Sequence, residues 1–237
     1  MDKKALRARY SAEHDPYCLR PGEARELLAG HPWRRFVVIG DSVAEGVVEP
    51  VPGYPQTAWA DRVAAELAAV CPELAYRNLG RRDLRARQVR ETQLAEAIKF
   101  GPDLALVTCG AIDALRATYD PDAVDREVAA MITELRAAGA DVITLGLFDI
   151  SHSPALEEWA RPGIRRRYAT LVAHLAALSE QLGTIHIDLF NHPVNDDPST
   201  YSSDGRHGNA RSHAIAAAEA IRRLGKEVRS RVHNGGV

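Results

Sequence analysis

Cysteine is scarce in this 237-residue chain, and Cys18, Cys71 and Cys109 have no paired spacing that suits a metal site. A count that is small and odd argues against a disulfide framework and fits a reducing compartment. Long apolar runs are missing too. The first twenty residues, MDKKALRARYSAEHDPYCLR, are charged throughout, and nowhere does a run approach the roughly eighteen residues that span a bilayer. The expectation is a cytoplasmic protein with no membrane span. Neither sign of charge dominates: 30 basic against 32 acidic residues leave a net charge of -2. That balance suggests no nucleic-acid partner, and the local clusters (Arg81, Arg82, Arg85, Arg87 and Arg90; Arg165, Arg166 and Arg167) read as solvated helix faces. Neither G-x-G-x-x-G nor G-x-x-x-x-G-K-[ST] occurs, which leaves nucleotide binding without a motif.

What is present is an ordinary globular composition, 46% apolar and 26% charged, enough for a sizeable core. Residues 1–33 are polar and broken by Pro16, Pro21, Gly22 and Pro32; they read as an N-terminal extension with one short helix over 23–29. From there apolar runs of strand length at 36–39, 74–79, 104–107, 142–147 and 185–189 alternate with helical patterns at 59–70, 84–100, 123–138, 164–182 and 209–224. Such alternation calls for βαβ units and a parallel sheet covered on both faces. The expectation is one doubly wound α/β domain over 34–226, five-stranded and flavodoxin-like in order, followed by a tail over 227–237.

In such sheets ligands bind beyond the carboxyl ends of the strands, so residues that bear chemistry should follow a strand directly. Three segments do: Gly40-Asp41-Ser42, Gly110-Ala111-Ile112-Asp113, and Asp204-Gly205-Arg206-His207. A serine hydroxyl is a poor nucleophile until a base takes its proton. A tight strand-to-helix turn exposes that hydroxyl and sets backbone N–H groups beside it for a developing oxyanion. The plain alternative is that Asp41 or Ser42 only caps the helix that follows. Asp204 and His207 are three apart, which lets the carboxylate accept the imidazole Nδ1–H and leaves Nε2 as a base; a surface turn is the plain alternative. His213, on the last helical pattern, and His186, inside a strand, read as structural.

These blocks together resemble the SGNH/GDSL hydrolases. FVVIGDSVAEGV is similar to that family's first block and SSDGRHGNARSHAIAA to its last, and the likeness extends over about residues 34–226. The resemblance implies a three-layer α/β/α fold and ester or acyl hydrolysis of a small-molecule substrate, with no metal or organic cofactor. It implies Ser42 as nucleophile and oxyanion donor, His207 as general base and Asp204 as the residue that orients it. Two inner blocks depart. The family's third block ends Gly-x-Asn-Asp, whereas Gly110 is followed by Ile112 in the asparagine position, and isoleucine donates nothing; the alternative is that Ile112 points into the core. In the second block, Asn78-Leu79-Gly80-Arg81-Arg82-Asp83, Gly80 is the only glycine but the usual spacing from the asparagine falls on Asp83. Three readings follow: a hydrolase that manages on fewer donors, an acyltransferase using the same triad, or a non-catalytic binding protein. Oligomeric state is not legible.

Overall fold

A computed structural model describes residues 11–234; the first ten residues of the expected extension and the last three of the expected tail lie outside it. Along the chain run α1 (Glu23–Leu28), β1 (Arg35–Gly40), α2 (Ser42–Glu45), α3 (Trp59–Val70), β2 (Ala75–Asn78), α4 (Ala86–Phe100) and β3 (Leu104–Thr108). They are followed by α5 (Ala111–Leu115), α6 (Pro121–Ala137), β4 (Asp141–Gly146), α7 (Arg161–Leu182), β5 (Ile185–Asp188) and α8 (Ala210–Asn234). Short 3-10 turns interrupt the loops after β4 and β5.

The strands are all parallel and lie in the order β2-β1-β3-β4-β5, the flavodoxin-like order. Central parallel strands are buried on both faces and so need unbroken apolar sequence. Phe36 to Ile39 and Leu104 to Val107 supply it and are all buried, whereas the edge strand β2 is half-exposed. Packing among the helices and strands puts α1, α3 and α8 over one face and α4, α6 and α7 over the other. Among the described residues no helix is long and apolar enough to cross a membrane.

Two segments outside the alternating pattern join this core. Leu19, Ala24, Leu28 and Trp33 pack in the same apolar cluster as the sheet, and Trp33 Nε1 donates to Asp141 Oδ2 at 2.7 Å. At the other end, α8 continues to Asn234 and buries Val228.

Candidate active site

The carboxyl ends of β1, β2 and β3 meet around Gly40. A Cβ on Gly40 would stand 2.0 Å from the Thr108 carbonyl oxygen, so the chain can turn this close to β3 only at a glycine. Gln93, buried on α4, holds both of its backbone groups: Oε1 accepts the Gly40 N–H at 2.7 Å and Nε2 donates to its carbonyl at 2.9 Å. Asp41 is fully buried and its Oδ1 accepts the Val43 N–H at 3.0 Å. It is therefore the N-cap of α2, and Ser42 is that helix's first residue. Burial pushes the Asp41 carboxyl up to about 7, the Val43 N–H works against this, and the charge of Asp113 adds to it.

The second block packs against α2. Asn78 Nδ2 donates to the Ala44 carbonyl at 2.7 Å, and its Oδ1 accepts the Gly80 N–H at 2.9 Å. A Cβ on Gly80 would fall 2.5 Å from both Ala44 Cβ and the Glu45 nitrogen. Gly80 is thus needed for close approach, and its N–H is already engaged. Asp83 is exposed and, among the described residues, the only non-glycine at positive φ, 66°, a conformation that aspartate tolerates better than most.

In the third block Gly110 takes φ 102°, with Leu171 Cδ1 2.9 Å from where a Cβ would be. Asp113 Oδ2 accepts the Ala86 N–H at 3.0 Å, at the start of α4. Ile112 is half-buried and belongs to neither apolar cluster.

Asp204 and His207 meet. His207 Nδ1 lies 2.6 Å from Asp204 Oδ2, and Asp204 Oδ1 accepts the backbone N–H groups of Arg206 at 2.8 Å and His207 at 3.0 Å. Desolvation alone would raise the Asp204 carboxyl, but the bond from His207 and the two backbone bonds outweigh it and bring it down to about 2. With the carboxylate taking the Nδ1 proton, Nε2 is the free nitrogen. The loop is pinned on both sides. The Ala210 N–H donates to the Glu49 carbonyl at 2.9 Å and the Ser203 N–H to Glu49 Oε2 at 2.7 Å, while Ser153 Oγ donates to the Gly205 carbonyl.

Of the remaining histidines, His213 has a structural task. Its Nδ1 accepts the Trp59 N–H at 3.1 Å and its Nε2 donates to the Val47 carbonyl at 3.0 Å, which closes the loop after α2. Burial lowers its pKa to about 4. Sequence reasoning missed Gln93 as the clamp on Gly40 and Asp15 as a buried carboxylate; a polar residue on an apolar helix face is the only signal for the first, and the second has none. One group of described residues, Asp122, Asp125 and His174, has ligand atoms within 4.8 Å of one another. It contains none of the residues above.

The model of the GDSL-like lipase/acylhydrolase family matches residues 38–215. The chain belongs to that family. No curated protein matches this GDSL-family chain, but solved structures share its fold. The acetylxylan esterase Axe2 of Geobacillus stearothermophilus is 18% identical, with a TM-score of 0.66 over 83% of this chain and 95% of that one. A lipase/acylhydrolase of Enterococcus faecalis is 21% identical, with a TM-score of 0.65 over 82% and 96%. At such identities the likeness is one of fold.

Proposed function

We propose that this GDSL-family chain is a serine hydrolase that cleaves an ester or acyl group through an acyl-enzyme on Ser42. The observation that carries the reading is the 2.6 Å bond between His207 Nδ1 and Asp204 Oδ2, on a loop tied through Glu49 to the segment that follows the Ser42 helix. In this reading His207 Nε2 takes the Ser42 hydroxyl proton as Oγ attacks the acyl carbon. The tetrahedral oxyanion collapses, the alcohol leaves with the proton from His207, and water repeats the cycle to release the acid. Among the described residues no hydrogen bond reaches Ser42 Oγ; catalytic contacts of this kind commonly tighten only as substrate binds.

The oxyanion hole is the atypical part. Ser42 N–H is one donor. Asp83 N–H is assigned as the second, because the Gly80 N–H is spent on Asn78 and Asp83 is the one non-glycine among the described residues at positive φ. Ile112 takes the place of the third. Acetylated carbohydrate, the substrate class named for the Geobacillus esterase, is the first to try. A fluorophosphonate probe tests the reading: wild type is labelled and Ser42→Ala is not, with the fold retained. Full labelling of Ser42→Ala would discard Ser42 as nucleophile. Adding acceptor alcohols or amines to the acyl-enzyme then separates hydrolysis from acyl transfer by product.

A further inference from the structure

His207 lies on the returning arm of a hairpin closed by the antiparallel bridge between Tyr201 and Gly208, and its arms are tied to the start of α8. The Ser202 N–H donates to the His207 carbonyl at 2.9 Å, and the Asn209 N–H to the Thr200 carbonyl at 3.0 Å. Asn209 Nδ2 donates to the carbonyls of Ser199 at 2.7 Å and Tyr201 at 3.0 Å, and Ser212 Oγ to that of Thr200 at 2.6 Å. At the second residue of α8, the buried Arg211 guanidinium closes the base of the hairpin. Its Nη1 donates to Asp197 Oδ2 and to Ser199 Oγ at 2.8 Å. Its Nε donates to Asp15 Oδ2 at 2.7 Å.

Asp15 comes from far away in sequence and lies before the family-matched residues 38–215. Its carboxylate is fully buried and accepts two further bonds, from Tyr54 Oη at 2.7 Å and the Tyr17 N–H at 3.1 Å. Tyr54 belongs to the loop after α2 that His213 also closes. A buried guanidinium is directional: it holds position only where carboxylates meet its fork in a fixed geometry. Asp15 thus joins the leading segment, the loop behind Ser42 and the base of the His207 hairpin at one point.

We propose that Asp15 is a positioning residue for His207, acting through Arg211 to hold the hairpin that carries the imidazole against the Ser42 turn. The imidazole's role rests on the hydrolase reading above; the order of the hairpin does not. Asp15→Asn keeps the shape and leaves Arg211 its Asp197 counter-ion, so the variant retains a neutral pair in place of an orphaned charge. Glu23→Gln is the control. Glu23 Oε1 accepts from Arg222 Nε at 2.8 Å, tying the same leading segment to the same helix about three turns further on.

Two readouts decide. In Asp15→Asn, backbone amides of residues 199–209 exchange with deuterium faster than in wild type, while in Glu23→Gln they do not. The maximal rate of fluorophosphonate labelling falls about ten- to a hundredfold in Asp15→Asn, the cost of a small displacement of a reacting group, with the probe's half-saturating concentration unchanged. Tyr54→Phe, which removes one bond to Asp15, moves both readouts the same way by less and covers the case in which Asp15→Asn does not fold. Wild-type exchange over 199–209 in Asp15→Asn, or equal acceleration in Glu23→Gln, overturns the proposal. Absence of labelling in wild type would instead sink the hydrolase reading, and the exchange comparison would still decide the hairpin.

Discussion

Position 112 has a side chain without a donor, on the first turn of a helix that is capped by Gly110 at positive φ and places Asp113 against the start of α4. Because Ile112 lies outside both apolar clusters, an amide there need not be buried without a partner. Ile112→Asn is expected to raise ester turnover by about ten- to a thousandfold, bounded by the loss when such a donor is removed, with the gain in kcat more than in KM. Steady-state kinetics with a simple acetyl ester check it. No gain in a folded variant would mean the site is organised for another reaction, and a destabilisation of about 1 to 3 kcal/mol would mean the amide went into the core. Asp204 gives a second expectation. Its carboxyl is held at about 2, so it stays charged at every pH above its ordinary value of 3.8, and the support it gives the fold is lost only as pH falls from there toward 2. Asp204→Asn should cut the labelling rate by orders of magnitude at neutral pH, because the imidazole tautomer is no longer set. An unchanged rate would reassign the orienting role.

Between strand and helix, the junction after β1 depends on a side chain from elsewhere. Gln93 on α4 satisfies both backbone groups of Gly40, and both lie where water cannot replace it. The Gly40 carbonyl also accepts the Arg81 N–H at 3.1 Å, so Gln93→Leu should cost about 1 to 3 kcal/mol from the one buried N–H left unpaired, read as a lower urea midpoint with an unchanged slope. A loss under about 0.5 kcal/mol, the usual size of a surface change, would show that the clamp is dispensable. The elements themselves were largely legible, since period-2 and period-3.6 patterning is local. Boundaries moved where capping decided: α6 begins at Pro121 because Asp120 accepts the Ala123 N–H and proline suits a first turn, two residues before the apolar pattern suggests. The last helix outruns its expected end at 224 because Val228 finds core to bury.

Stability against pH belongs to the whole molecule, and two buried groups pull it in opposite directions. Asp41 is raised from 3.8 to about 7, so between those values the unfolded chain has released a proton that the folded one keeps, and stability falls as pH rises. His213 is lowered from 6.5 to about 4, so over that range the unfolded chain holds a proton that the folded one lacks, and stability rises with pH. Each slope is about 1.4 kcal/mol per pH unit at most, and in wild type they offset. Between pH 4 and 6.5, Asp41→Asn should gain stability relative to wild type as pH rises, and His213→Gln should lose it. Thermal melts across that range check the pair; parallel curves for all three proteins would refute both assignments. The same split runs through the molecule's legibility. Apolar runs, punctuating glycines and the two end blocks determined the sheet, its order and the family, because strands, helices and i to i+3 pairs such as Asp204 and His207 are fixed by neighbours in sequence. The tertiary structure alone decided that Gly80 lies hard against Ala44 and Glu45, that Gln93 clamps Gly40, and that Asp15 reaches Arg211. Those outcomes turn on backbone direction and on charges brought together across some two hundred residues, where only close packing and the cost of leaving a buried polar group unpaired choose the partner.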